Sequence, residues 1–354
     1  MKGVSYKLIY DKLIMKKIGN QSIKFDNPPT IAETASIVGP KEAAGPLAKY
    51  FDKCLEDEFW GEKTWEKAES KIFKETISTV LAKSGIAASD IDYSFAGDLL
   101  NQCISSTFAM RDSNVPFFGL FGACSTFVES LCIGSAFMDS MALNNVLCGT
   151  SSHFCSAEKQ FRFPLELGNQ RTPTSQWTVT GSGAAILSQK GLGPYITTMT
   201  PGLIVDMGIK DANNMGAAMA PAALSTLLAH LEDTGRTPDY YDAIFTGDLG
   251  HLGKEILIDL AKNKGFDISN NYNDCGVLIF DKDKQDTHSG GSGCACIGTV
   301  FSGYLYKLLK QGKLRKILLI ATGALMNATT SQQGESIPGI AHAISIEMDK
   351  EPLN

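Results

Sequence analysis

Two stretches of this sequence, DYSFAGDLLNQ (92–102) and DAIFTGDLGHLG (242–253), run from an apolar segment into the same Gly-Asp-Leu triplet, and the segments downstream of the two match in order. The first leads to GACSTFVESLCIGSAFMDSM (122–141) and the second to HSGGSGCACIGTVFSGYLYKLL (288–309), each a Gly-rich turn feeding a helical pattern. NNVLCGTSSH (144–153) and KILLIATGAL (316–325) come next, then GAAILSQ (183–189) and AHAISIEM (341–348), all reading as strands. Four corresponding pieces in one order describe a duplicated α/β unit, and a repeat of this kind limits the fold before any single residue is weighed. The strands are near-continuous apolar runs separated by helical patterns, which is how sheets covered on both faces read. Two such sheets with their central helices between them predict a five-layered αβαβα sandwich. Gly and Pro punctuate QKGLGPYITTMTPG (189–202), so the halves are expected at 1–190 and 191–354. Further helices are predicted at 64–84 and 220–235, and the first thirty residues read as an edge strand followed by a Pro-bearing loop.

With 354 residues, 44% of them hydrophobic and 20% charged, the chain can bury two sizeable cores. The opening MKGVSYKLIYDKLIMKKIG lacks the uninterrupted apolar core and small-residue cleavage site of a secretory signal, and no window reaches the length of a membrane span. A formal charge of −6 gives no global attraction to nucleic acid, which is not expected as a partner. The nine cysteines are an odd set scattered through apolar segments, a pattern that fits a reducing compartment. Cys294-Ala-Cys296 is too tight for usual zinc spacing, so no metal site is expected. Nor is any other cofactor.

Cys124 stands where a strand turns into a helix. The unpaired amides and positive dipole end of that helix should lower its pKa and favour the thiolate. Asp98 and Asp248 recur in the repeat, so each is expected to cap the next helix. Ser292 is expected on the second Gly-rich turn facing a pocket, with Cys294 and Cys296 packed inward. His230 and His342 read as core histidines.

Taken together, AGDLLNQ (96–102), GACSTF (122–127), GTSSHFCSAEKQFRFP (149–164), QWTVTGSGAAILS (176–188), TGDLGHLGKEIL (246–257), HSGGSGCACIG (288–298) and GESIPGIAHA (334–343) resemble the thiolase superfamily of thiolases and ketoacyl carrier-protein synthases. The resemblance is closer still to the stage V sporulation AD branch of that superfamily. It implies a protein of the thiolase fold that binds dipicolinic acid (pyridine-2,6-dicarboxylate), with or without Ca²⁺, and helps move it into the developing spore. It also implies synthesis in the cytoplasm, a peripheral place at the spore inner membrane beside the membrane proteins of the stage V sporulation A complex, and a homodimer.

A condensing enzyme of this fold needs a thiolate, two side chains that handle the thioester oxygen and proton transfer, and amide donors for the oxyanion. Cys124 is placed for the first. Where the resemblance calls for His and then Asn, this chain has Asp248 and His251. Where it calls for a further Asn or Cys, the turn reads Ser289-Gly290-Gly291-Ser292-Gly293, with Cys294 further along and His288 just before. Acyl transfer is therefore expected to be disabled, leaving Cys124 vestigial and the protein no enzyme. The alternatives are a thioester-dependent acyltransferase using Cys124, or a scaffold with a vestigial pocket. For the binding reading, the expected ligand residues are Cys124, Ser125, His153, Lys159, Arg162, Asp248, His251 and Ser292. His153 either ties a loop or touches ligand, and Lys159 and Arg162 supply cations or a solvated loop.

Overall fold

A computed structural model describes residues 16–141, 143–161 and 171–350. Its strands are β1 (Lys16–Ile18), β2 (Ser22–Lys24), β3 (Thr30–Val38), β4 (Lys53–Cys54), β5 (Tyr93–Gly97), β6 (Phe117–Gly119), β7 (Asn145–Ser152), β8 (Trp177–Thr178), β9 (Gly181–Ser188), β10 (Tyr195–Thr200), β11 (Ala243–Thr246), β12 (Tyr272–Asp274), β13 (Gly291–Ser292), β14 (Lys316–Ala324) and β15 (Gly339–Glu347). The helices that matter for the site are α1 (Trp65–Ser84), α2 (Ile104–Met110), α3 (Thr126–Met141), α4 (Phe154–Phe161), α5 (Met215–Thr234), α6 (Gly250–Asn263), α7 (Cys294–Val300) and α8 (Tyr306–Lys310).

The duplication is visible in the strand order. One half-sheet runs β3-β9-β7-β5-β6 and the other β10-β15-β14-β11-β12, and β3 meets β10 where Thr30 pairs with Tyr195. Within each half the two innermost pairings are antiparallel and the two outer ones parallel, in the same sequence. The apolar runs are continuous because each strand feeds two cores. In β14, Ile317, Leu319 and Ala321 face the central core with Phe127, Leu131, Ile297 and Phe301 of the middle helices. Leu318 and Ile320 of the same strand face the outer core under α5. In β7, Val146 and Cys148 point to the centre and Leu147 to the core under α1. Helices α3 and α7 thus fill the middle layer, and α1 with α2, and α5 with α6, cover the outside.

Close backbone approach sets the middle layer. A Cβ on Gly183 of β9 would lie 2.1 Å from the Gly298 carbonyl oxygen of α7, and one on Gly323 of β14 would lie 2.2 Å from that of Gly122. The second contact docks the turn before Cys124 directly on the other half's strand. Between α7 and α8 the helix widens into a π turn at Phe301–Leu305, and the Ser302 carbonyl accepts from the Thr34 hydroxyl at 2.8 Å.

Two expectations shift and a third holds. Residues 16–24 form a hairpin rather than one edge strand, held where Asp233 accepts from the amides of Asn20, Gln21 and Ser22. The helix expected over 220–235 starts at Met215, because the Asn214 side chain caps it by accepting from Ala217 N, and Pro221 is absorbed inside. The helix expected over 64–84 is observed as Trp65–Ser84 with Thr64 as its cap. Among the described residues no helix is long and apolar enough to cross a membrane.

Candidate functional site

The two Gly-rich turns meet at the centre of the molecule. Ala123, at φ 52, and Gly293, at φ 96, each have a positive φ immediately before a cysteine at the head of a middle-layer helix, Cys124 two residues before Thr126 opens α3 and Cys294 opening α7. Cys124 and Cys294 are thereby brought into one small buried cluster with Leu99 and Ala157. They do not share a role. Cys294 Sγ donates to the Ser151 carbonyl at 2.9 Å, inside the fold as expected. Cys124 Sγ instead lies 3.7 Å from Ser292 Oγ and lines a cavity.

That cavity is small, about 60 Å³. Leu99, Ala157, Phe161, Met215, Ala324 and Met326 make most of its wall; Cys124, Ser292, Thr178 and Glu158 supply side-chain polar groups, with Gly293 between them. Among the described residues that line it there is no Lys, Arg or His.

Asp248 lies behind Cys124 rather than on the wall. Its Oδ1 accepts from the Thr322 hydroxyl at 2.6 Å, and Gln176 Nε2 donates to its backbone carbonyl at 2.6 Å and to that of Gly291 at 3.0 Å, tying the two turns together. Complete burial, with a smaller contribution from Asp274, pushes the Asp248 carboxyl up to about 7. Burial, followed by the charge and hydrogen bonding of Asp248, raises the Cys124 thiol well above its ordinary value of 9.0. The Ser292 hydroxyl and the Gly293 amide favour the thiolate, but less strongly. The helix start therefore does not produce the lowered pKa expected of it: desolvation and a neighbouring acid outweigh the dipole.

The shared capping role for the two aspartates holds in one half only. Asp98 accepts from Leu100 N at 2.9 Å and from the amide and hydroxyl of Ser106 at 2.7 Å, fastening the start of α2. In the second half Asp274 does this work, accepting from Leu249 N and Gly250 N at 2.9 Å, which releases Asp248 to face the cysteine.

Of the other residues expected at the ligand, the structure brings Ser292 to the cavity and leaves several away from its wall. Ser125 donates to the Gly122 carbonyl at 2.7 Å, closing its own turn. His153 is fully buried, its Nε2 2.9 Å from the Glu58 carbonyl and its Nδ1 accepting from Cys155 N, so it ties a loop, and burial lowers its pKa. Lys159 reaches outward to Glu66 at 2.6 Å. His251 starts α6 with its amide on Ser289 O, and its ring is lowered by burial and by Lys282 and Lys254 outside the cavity. Arg162 lies outside the described residues. Leu99, Glu158, Phe161, Thr178, Met215 and Met326 were not expected; Leu99 alone carried a signal, as part of the repeated Gly-Asp-Leu.

The model of the stage V sporulation protein AD family matches residues 19–347. The stage V sporulation protein AD of Bacillus subtilis (strain 168) is 42% identical over 333 residues, covering 94% of this chain and 98% of that protein. The chain belongs to the stage V sporulation protein AD family. It is thus a sporulation protein built on the thiolase-like fold. Solved structures of that fold resemble it in shape: 3-oxoacyl-[acyl-carrier-protein] synthase III of Aquifex aeolicus VF5 aligns at TM-score 0.54 with 13% identity over 90% of this chain and 99% of that one. OleA of Xanthomonas campestris aligns at TM-score 0.56 with 14% identity over 93% and 100%. At such identities they establish the fold of this family member and nothing about its chemistry.

Proposed function

We propose that the cavity beside Cys124 binds dipicolinic acid without acyl transfer and that this serves uptake of the acid into the developing spore. The observation that carries the reading is the company Cys124 keeps. Its neighbours are a carboxyl, a hydroxyl and an amide, with no imidazole. The acid beside it, Asp248 at about 7, faces a thiol held well above 9.0. Moving the proton from the thiol to that carboxylate is uphill, so the thiolate a condensing enzyme needs is scarce. The Ser292 and Thr178 hydroxyls and the Gly293 amide region offer donors to carboxylate oxygens. We extend the reading to a peripheral place at the spore inner membrane, beside membrane proteins of the stage V sporulation A complex, and to a ligand that arrives with or without Ca²⁺.

Calorimetric titration with dipicolinic acid beside an acyl-CoA trapping assay tests this. Saturable binding without acylation of Cys124 is expected. Acylation would establish the acyltransferase instead, and neither result would leave the scaffold.

Two copies are proposed to pair through β6, the outer strand of the first half-sheet. Its open edge stands beside Phe118 and Phe121, whose rings are 44% and 47% exposed. Sedimentation is expected to show a dimer that Phe121→Glu converts to monomer; a monomeric parent protein would remove the proposal.

A further inference from the structure

On the opposite face of the β8–β13 ribbon from the Cys124 cavity, we infer a second binding site, for a small oxyanion group, formed by Lys41 and Arg171 at the ring of Trp177. The ribbon separates the two. Thr178 and Ser292 are register partners and line the cavity, whereas Trp177, one residue earlier, pairs with Gly291 and carries its side chain to the other side.

Phe154 stacks flat on one face of Trp177, with ring centroids 3.6 Å apart and planes 3° from parallel. Lys41 Nζ lies 3.7 Å from the indole centroid, so it takes the face that Phe154 leaves. The Arg171 guanidinium carbon lies 4.6 Å from that centroid. Two cations thus converge on one indole, and the second-largest influence on Lys41, after burial, is repulsion from Arg171.

A cation–π clamp alone would account for their position but not for their unused donors. Arg171, with its side chain 8% exposed, places Nη2 on Asp286, 2.9 Å from the carbonyl and 3.1 Å from Oδ1. Its Nη1 is buried with no hydrogen-bond partner. Lys41 Nζ has no hydrogen bond or ion pair among the described residues either, although its backbone is fixed by Gln285 Nε2 on its carbonyl at 2.7 Å. A buried N–H left unpaired is costly, more so when charged, and a guanidinium that served only to stack could have turned that edge to water. The nearby acids do not fill the gap. Asp286 is spent on Nη2 and is 77% exposed, Glu42 is buried against Thr180 N, and Glu58 receives the Cys155 thiol. Two fixed cationic donors of this sort match a phosphate or carboxylate presenting two acceptor oxygens.

The test is calorimetric titration of the whole chain at low ionic strength with inorganic phosphate and, separately, with acetate. One saturable site for at least one anion is expected; preference between them assigns the tetrahedral or the planar group. Arg171→Gln and Lys41→Gln should each weaken it about tenfold or more, the loss of one charge-assisted hydrogen bond. Arg171→Lys should recover part. If Arg171→Gln fails to fold, Lys41→Gln still decides, because that ammonium holds nothing else by hydrogen bond. No saturable uptake of either anion, or affinities unchanged in both Gln variants, overturns the inference.

Discussion

Cys124→Trp is expected to abolish dipicolinate binding, with Kd at least about 100-fold weaker, while Cys124→Ser stays within about threefold of the parent. The two substitutions separate occupancy from reactivity. Cys124 is 6% exposed and forms the floor of a small cavity, so an indole there fills the space meant for the ring. Serine keeps the volume and a donor, and it loses only the nucleophilicity that a thiol held neutral by burial and Asp248 does not use. Should Cys124→Trp not fold, Met215→Trp fills the same cavity from another lining position and is expected to give the same loss. His251→Ala, outside the wall, serves as the variant that should bind like the parent. Calorimetry on these variants decides the matter: tight binding by both Trp variants would place the ligand elsewhere, and loss of a measurable acyl transfer in Cys124→Ser would make the cysteine catalytic.

How far the site could be read from sequence depended on what kind of information fixed each residue. The repeat carried the strand order and the placement of Cys124 and Ser292, because both sit at fixed offsets in a duplicated strand–turn–helix. The window EKQFR (158–162) shows where such reading stops. Its cations drew attention, but successive residues of a helix point about 100° apart. In α4 it is Glu158 and Phe161, three apart on one face, that line the cavity, while Lys159 turns to Glu66. Thr178, Met215 and Met326 carried no such signal, and they meet Leu99 of the repeated triplet only through tertiary packing of distant segments. The divergence of the two repeated aspartates was equally hidden. Nothing local distinguishes Asp248 from Asp98 until Asp274 is seen to have taken over the cap of α6.

That divergence gives the second large effect, a dependence of binding on pH. Asp248 titrates at about 7, far above its ordinary 3.8, because burial disfavours its charged form. At pH 6 it is mostly protonated and at pH 8 mostly ionised. A dianion bound just beyond the Cys124 thiol is repelled by the ionised form, so Kd should rise with pH through 7. If binding demanded the proton outright, linkage for one group would give about tenfold between pH 6 and 8; acting across the thiol, Asp248 should give several-fold, approaching that limit. The thiols of Cys124, Cys275 and Cys296 and the phenol of Tyr272 around it are all raised well above their ordinary values and stay neutral across this range. Asp274, also raised by burial, is held by donors from Thr246, Leu249, Gly250 and Val277. Asp248→Asn keeps an acceptor for the Thr322 hydroxyl and removes the charge, so its binding should be flat across this range and equal to that of the parent at pH 6. Glu158→Gln changes the one carboxyl on the cavity wall among the described residues and should leave the inflection set by Asp248 in place. The folding sign agrees: a buried acid raised from 3.8 to about 7 makes the folded state bind the extra proton, so Asp248 costs the parent stability as pH rises between those values, and Asp248→Asn removes that one contribution while those of Glu42 and Glu69, both raised by burial to about 8, remain. Titrations at pH 6, 7 and 8 that find the same affinity in the parent, or an unchanged inflection in Asp248→Asn, would remove Asp248 from the binding site.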